Sequence, residues 1–183
     1  MADRADVYGR VTGPGEVRFE RLLPGPIERI WAYLTESEKR GKWLAAGAMD
    51  LRVGGRVELE FRHADLSPER EEVPEKYRKY EEGGTVSGRI TACDPPRRLS
   101  YTWGEEEGPD TEVTFELASR GDDVLLVVTH RRLAGPDAMK SVSGGWHTHF
   151  SILADVLAGR TPRPFWTTHA SLEEQYGKRL AGE

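Results

Sequence analysis

A chain of 183 residues can bury enough apolar side chain for one domain with a substantial core, and its unbroken mixture of apolar and charged residues gives no reason to divide it. Its 26 basic against 31 acidic residues leave a formal net charge of -5, and the basic residues are scattered rather than gathered into a stripe, which argues against nucleic acid as a partner. No apolar run approaches the roughly 18 residues of a membrane span, the start Met-Ala-Asp-Arg-Ala-Asp is too polar for a signal-peptide core, and Cys93 is the only cysteine, so a cytoplasmic, reducing address is expected.

Residues 1–15 read as an N-terminal arm, 16–159 as the domain and 160–183 as a C-terminal extension. Glu16 to Leu23 reads as a strand, stopped by Pro24-Gly25-Pro26, which also supplies a proline for the first turn of a helix. In that helix Ile27, Ile30, Trp31 and Leu34 recur at three and four, the stripe of a helix resting on a core. Thr35 and Glu38 form a Thr-x-x-Glu capping box, predicting a second short helix that ends near Trp43 and Leu44. After the turn at Gly54-Gly55 a strand alternates, with Val57, Leu59, Phe61 and His63 on one side and Glu58, Glu60 and Arg62 on the other.

Residues 65–84 interrupt the strands with a run dense in Glu, Lys and Arg, with prolines at 68 and 74 and a short helix expected from about Pro74 to Tyr80. This insertion reads either as a solvated loop or as a lid that closes with Tyr77 and Tyr80. Thr85 to Asp94, Arg97 to Trp103, Glu112 to Ser119 and Val124 to Leu133 then form an antiparallel meander, since their connections are too short for parallel crossovers. Beyond Gly135-Pro136, Trp146, Leu153 and neighbouring apolar residues have helical spacing up to Gly159, a natural C-cap, and predict the one long helix. Thr-Pro-Arg-Pro breaks it, and Leu172, Tyr176 and Leu180 mark a short terminal helix. Its aromatic residues Phe165, Trp166 and Tyr176 would pack on the parent domain or on a second copy, making a homodimer.

Several segments carry a family resemblance. They are Phe19-Glu20-Arg21-Leu22-Leu23-Pro24-Gly25-Pro26-Ile27-Glu28-Arg29-Ile30-Trp31, Lys42-Trp43-Leu44, Gly54-Gly55-Arg56, Gly88-Arg89-Ile90, Pro95-Pro96-Arg97-Arg98-Leu99-Ser100-Tyr101-Thr102-Trp103, Thr114-Phe115-Glu116-Leu117, Val128-Thr129-His130 and Gly145-Trp146. In this order they resemble the START-like, or SRPBCC, superfamily, in the branch similar to the C-terminal domain of the activator of the Hsp90 ATPase. The resemblance covers roughly residues 16 to 158. It implies an α+β helix-grip fold, a curved antiparallel sheet of about six or seven strands wrapped around one long C-terminal helix, with a cavity between them. It carries over no catalytic residue, because one scaffold of this kind hosts many functions.

The strand alternation then predicts the cavity wall. The sheet contributes Leu59, Phe61 and His63; Leu99, Tyr101 and Trp103; Val113, Phe115 and Leu117; and Val124, Leu126, Val128 and His130. The helix contributes Trp146, His149, Leu153 and Val156. Such an apolar wall with a few polar groups, His63, Tyr101, Trp103, His130 and His149, is the composition of a small-molecule site, although each polar member also reads as a hydrogen-bonded core residue. His147 is rotated roughly 200° from His149 on a helix and is expected to face outward.

The expected function is to bind a small hydrophobic or amphipathic molecule, with Phe61, His63, Tyr101, Trp103, Phe115, Val128, His130, Trp146, His149 and Leu153 lining the cavity. A module that stimulates a chaperone or another ATPase is the alternative implied by the resemblance. A third reading is a cyclase- or hydrolase-like enzyme with His63 or His130 as general base and Tyr101 as donor. No acidic residue can be paired with either histidine from sequence, no nucleophile elbow is present, and Gly13-Pro14-Gly15 lacks the lysine of a phosphate loop. His63, His130 and His149 come from three separate elements without a close-spaced ligand pair, so neither a metal nor another cofactor is expected.

Overall fold

The computed structural model describes residues 7–104 and 109–182; residues 1–6, at the start of the expected arm, 105–108 and 183 lie outside them. Within the described residues the alternation read from the sequence builds seven antiparallel strands. These are β1 (Arg10–Gly13), β2 (Glu16–Pro24), β3 (Arg56–Phe61), β4 (Gly84–Asp94), β5 (Arg98–Trp103), β6 (Thr111–Arg120) and β7 (Asp123–Arg131), in the sheet order β1-β2-β7-β6-β5-β4-β3. Register aligns the inward residues into rows across the sheet. Val17, His130, Val113, Tyr101 and Ile90 form one row, and Phe19, Val128, Phe115 and Leu99 form the next. All of these side chains are buried, which fixes the register, since a slip of one residue would turn every one of them to solvent.

Helices α1 (Ile27–Thr35) and α2 (Ser37–Arg40) follow β2, and α3 (Gly135–Leu157) lies on the concave face with Trp146, Phe150, Leu153 and Leu157 buried at steps of four, three and four. The expected capping box does not form. Helix α1 runs through Thr35, whose Oγ1 donates to the Trp31 carbonyl 2.9 Å away inside its own last turn, and Glu36 takes the N-cap of α2 without a side-chain bond. The segment after α2 is held instead by Arg40, which is fully buried. Its guanidinium donates to the carbonyls of Ala45 (3.0 Å), Thr35 (3.0 Å) and Gly47 (2.5 Å), so one cation satisfies backbone acceptors that no regular element covers.

The C-terminal helix differs most from expectation. Helix α4 (Phe165–Leu180) has 16 residues and packs along α3. Asp155 of α3 folds the link back, accepting from Arg163 Nε at 2.8 Å, the Arg163 backbone N–H at 3.1 Å and Arg160 Nη2 at 3.2 Å. At Gly144 the two helices come so close that a Cβ would stand in van der Waals contact, 3.4 Å from the Glu173 backbone. Further along, the Tyr176 hydroxyl accepts from the Gly9 N–H at 2.7 Å and meets His147 Nδ1 at 2.9 Å, so these aromatics pack on their own domain. His147 is therefore buried, at 1 % exposure, and not turned to solvent. Its helix has two covered faces, one on the sheet and one under α4.

Candidate functional site

At one end of the sheet β3, β5 and β7 finish and β4 and β6 begin. A cavity of about 300 Å³ opens there, between that end and the middle of α3. Phe61 comes from the last position of β3, Trp103 from the last of β5 and His130 from the end of β7. His63 lies just past β3, in a single 3-10 turn (His63–Asp65), because the strand ends at Phe61. Helix α3 supplies Gly145, Trp146 and His149; a Cβ at Gly145 would meet no atom within 4 Å, so its missing side chain is cavity space. Tyr77 and Tyr80, on a 3-10 segment (Glu75–Tyr80) of the insertion, also reach the wall.

Tyr101, Phe115, Val128 and Leu153 do not. They face the same side of the sheet or helix but lie one or more rows away from its end, sealed in the packed core. Burial holds the Tyr101 phenol well above its usual range, so it keeps its proton as a core group.

Among the wall residues that were not anticipated are three aromatic-ring side chains of α4, Phe165, Trp166 and His169. The Phe165 ring stands 4.1 Å from that of His63, and Trp166 stacks on Tyr77 at 5.2 Å and 23°. A proline immediately before an aromatic pair, with His169 and Tyr176 continuing its helical spacing, is the sequence signal that marks this second wall. Two carboxylates tie α4 to the insertion. Glu71 accepts from the Trp166 and Thr167 backbone N–H groups, the latter at 2.9 Å, and from Thr167 Oγ1 at 2.7 Å, capping the helix from 95 positions away. Glu173 accepts from Lys76 Nζ and, at 2.5 Å, from the Tyr77 hydroxyl, with His169 Nδ1 3.5 Å away. Burial pushes Glu173 up, but the bonds from Lys76 and Tyr77 outweigh it and hold the carboxyl below its usual range.

The histidines on the wall are chemically unlike. Both nitrogens of His130 are engaged: Nδ1 accepts from Trp146 Nε1 at 2.9 Å, which leaves the proton on Nε2 to donate to Thr111 Oγ1 at 2.7 Å. His149 lies 2.7 Å through Nδ1 from the Trp43 carbonyl. His63 Nδ1 is sealed from solvent with no hydrogen-bond partner among the described residues, a state that costs about 1–3 kcal/mol. Burial holds all three uncharged, lowering His130 and His149 to about 3 and His63 to about 4. Neutral imidazoles are the form that ligates metals, but His130 has no nitrogen to spare, and among the described residues no group of three His, Cys, Asp or Glu stands close enough to hold an ion.

An open antiparallel sheet gripping a long helix, with an aromatic-lined pocket at one end, is the architecture of the SRPBCC-type, helix-grip proteins. The chain belongs to one family of that type: the model for Activator of Hsp90 ATPase homolog 1-like proteins matches residues 24–158. Among solved structures it is similar to the protein encoded by gene BPP1335 from Bordetella parapertussis, with 46% sequence identity and a TM-score of 0.79, covering 96% of this chain and 91% of that one. It is also similar to CalU16 from Micromonospora echinospora, at 23% identity and a TM-score of 0.66, covering 93% of each chain, a likeness of fold alone. Comparison with curated proteins gives no match. Among the described residues no helix is long and apolar enough to cross a membrane.

Proposed function

We propose that this protein binds a small hydrophobic or amphipathic molecule in the cavity between the sheet end, α3 and α4. The observation that carries the reading is the wall itself: an aromatic-lined cavity of about 300 Å³ whose polar groups include uncharged histidines, two of them, His130 and His149, held in place by hydrogen bonds. Binding draws on apolar ligand area removed from water, at about 25 cal/mol per Å², while Phe61, Trp103, Trp146 and Phe165 supply flat surfaces and His63 and His149 fix orientation. Tyr77 and Tyr80, with α4, act as the cover through which the ligand passes.

His130 serves as a wall residue rather than a base, since its two nitrogens already have partners. The test is native mass spectrometry of gently purified protein beside the same sample denatured. A discrete added mass that vanishes on denaturation is the expected result. Clean apo mass, together with failure of any small aromatic to bind on titration, would remove the reading.

A further inference from the structure

The wall also specifies the chemistry of what it holds; this inference rests on the cavity being a ligand site. A carbonyl oxygen only accepts, so the 2.7 Å contact to Trp43 O places the His149 proton on Nδ1 and leaves a lone pair on Nε2. That nitrogen has no hydrogen-bond partner among the described residues, and its ring lies on the cavity wall. The His63 ring stands opposite, 5.7 Å between centroids, with its own buried Nδ1 unpartnered. A second observation concerns charge. Among the described residues, those lining the cavity include no Lys, Arg, Asp or Glu, so none of them neutralises an ionised ligand.

The geometry points to a flat, uncharged ligand that carries one O–H or N–H donor, hydrogen-bonded to His149 Nε2, with its body against Phe61 and Phe165. A hydroxyl suits the pair of rings best, because it donates to one imidazole and can accept from the other. A carboxylate meets the Nε2 lone pair with its own and is rejected.

Isothermal titration of the full chain with naphthol, its methyl ether, naphthalene and naphthoate at neutral pH tests this. Naphthol should bind about tenfold more tightly than the methyl ether, the magnitude of one net hydrogen bond in a dry site, and naphthoate should bind most weakly. His149→Phe should close the gap, with naphthol and its ether binding equally to the variant. His63→Phe, at a less buried position, should narrow the same gap and keeps the test alive if the first variant does not fold. Equal affinity for naphthol and its ether, or tighter binding of naphthoate, would overturn the donor rule and leave the binding role standing. No heat with any of the four would overturn both.

Discussion

Gly145 sits in the middle of α3 where a side chain would project into the cavity, and the two consequences of its missing Cβ pull in opposite directions. Glycine inside a helix costs stability, and a methyl group here meets nothing within 4 Å. Gly145→Ala should therefore raise the unfolding free energy by about 1 kcal/mol in urea denaturation. Gly145→Leu should fill the cavity and abolish the ligand adduct in native mass spectra while the protein stays folded. At this scale the face of a side chain was legible in the sequence, whereas its depth was not. Period-two alternation puts Tyr101 and Trp103 on one face, but only the strand's end decides that Trp103 meets the cavity and Tyr101 the core. His147 failed for a related reason: helical rotation places it away from the sheet, and nothing local announces a second helix waiting there.

Helix α4 and the 65–84 insertion act together as elements, because Glu71 and Glu173 tie the one to the other while α4 packs along α3. Glu71→Ala removes the carboxylate that caps α4 and should lower stability by about 1–2 kcal/mol, with faster amide exchange at Trp166 and Thr167 as the local readout. An unchanged exchange rate there would mean that the cap does not hold the cover. In sequence this arrangement was hidden. Glu71 stands in a run of charges that reads as solvated, and its partners lie 95 positions away, beyond the reach of any capping pattern. The strands of the meander, with short connections and strict alternation, carried their whole signal locally and were readable to within a few residues of their ends.

For the molecule as a whole, the uncharged histidines set its response to acid. Their folded values, about 3 for His130 and His149 and about 4 for His63, lie below the ordinary 6.5, so between these limits the unfolded chain binds more protons. Their contribution is complete above pH 6.5 and is lost as the pH falls toward the folded values. Each histidine contributes a slope of up to about 1.4 kcal/mol per pH unit. Urea midpoints should therefore fall steadily from about pH 6.5 to pH 4, and more gently in His63→Phe, which lacks one of these groups. Asp155 and Glu173 work in the same direction at lower pH. Both are pushed up by burial, yet the Arg163 bonds to Asp155 and the Lys76 and Tyr77 bonds to Glu173 hold them below the ordinary carboxylate values. The enclosure that keeps the histidines neutral has a spectroscopic side as well. Trp103 and Trp146, 5.5 Å apart across the cavity wall, and Trp166 against Tyr77 on its cover form two sets of closely coupled chromophores, one on the fixed scaffold and one on the part that would move. The protein thus carries its own optical gauge, in which near-ultraviolet dichroism reports the packing of the cover while the far-ultraviolet signal reports the sheet and helices beneath it.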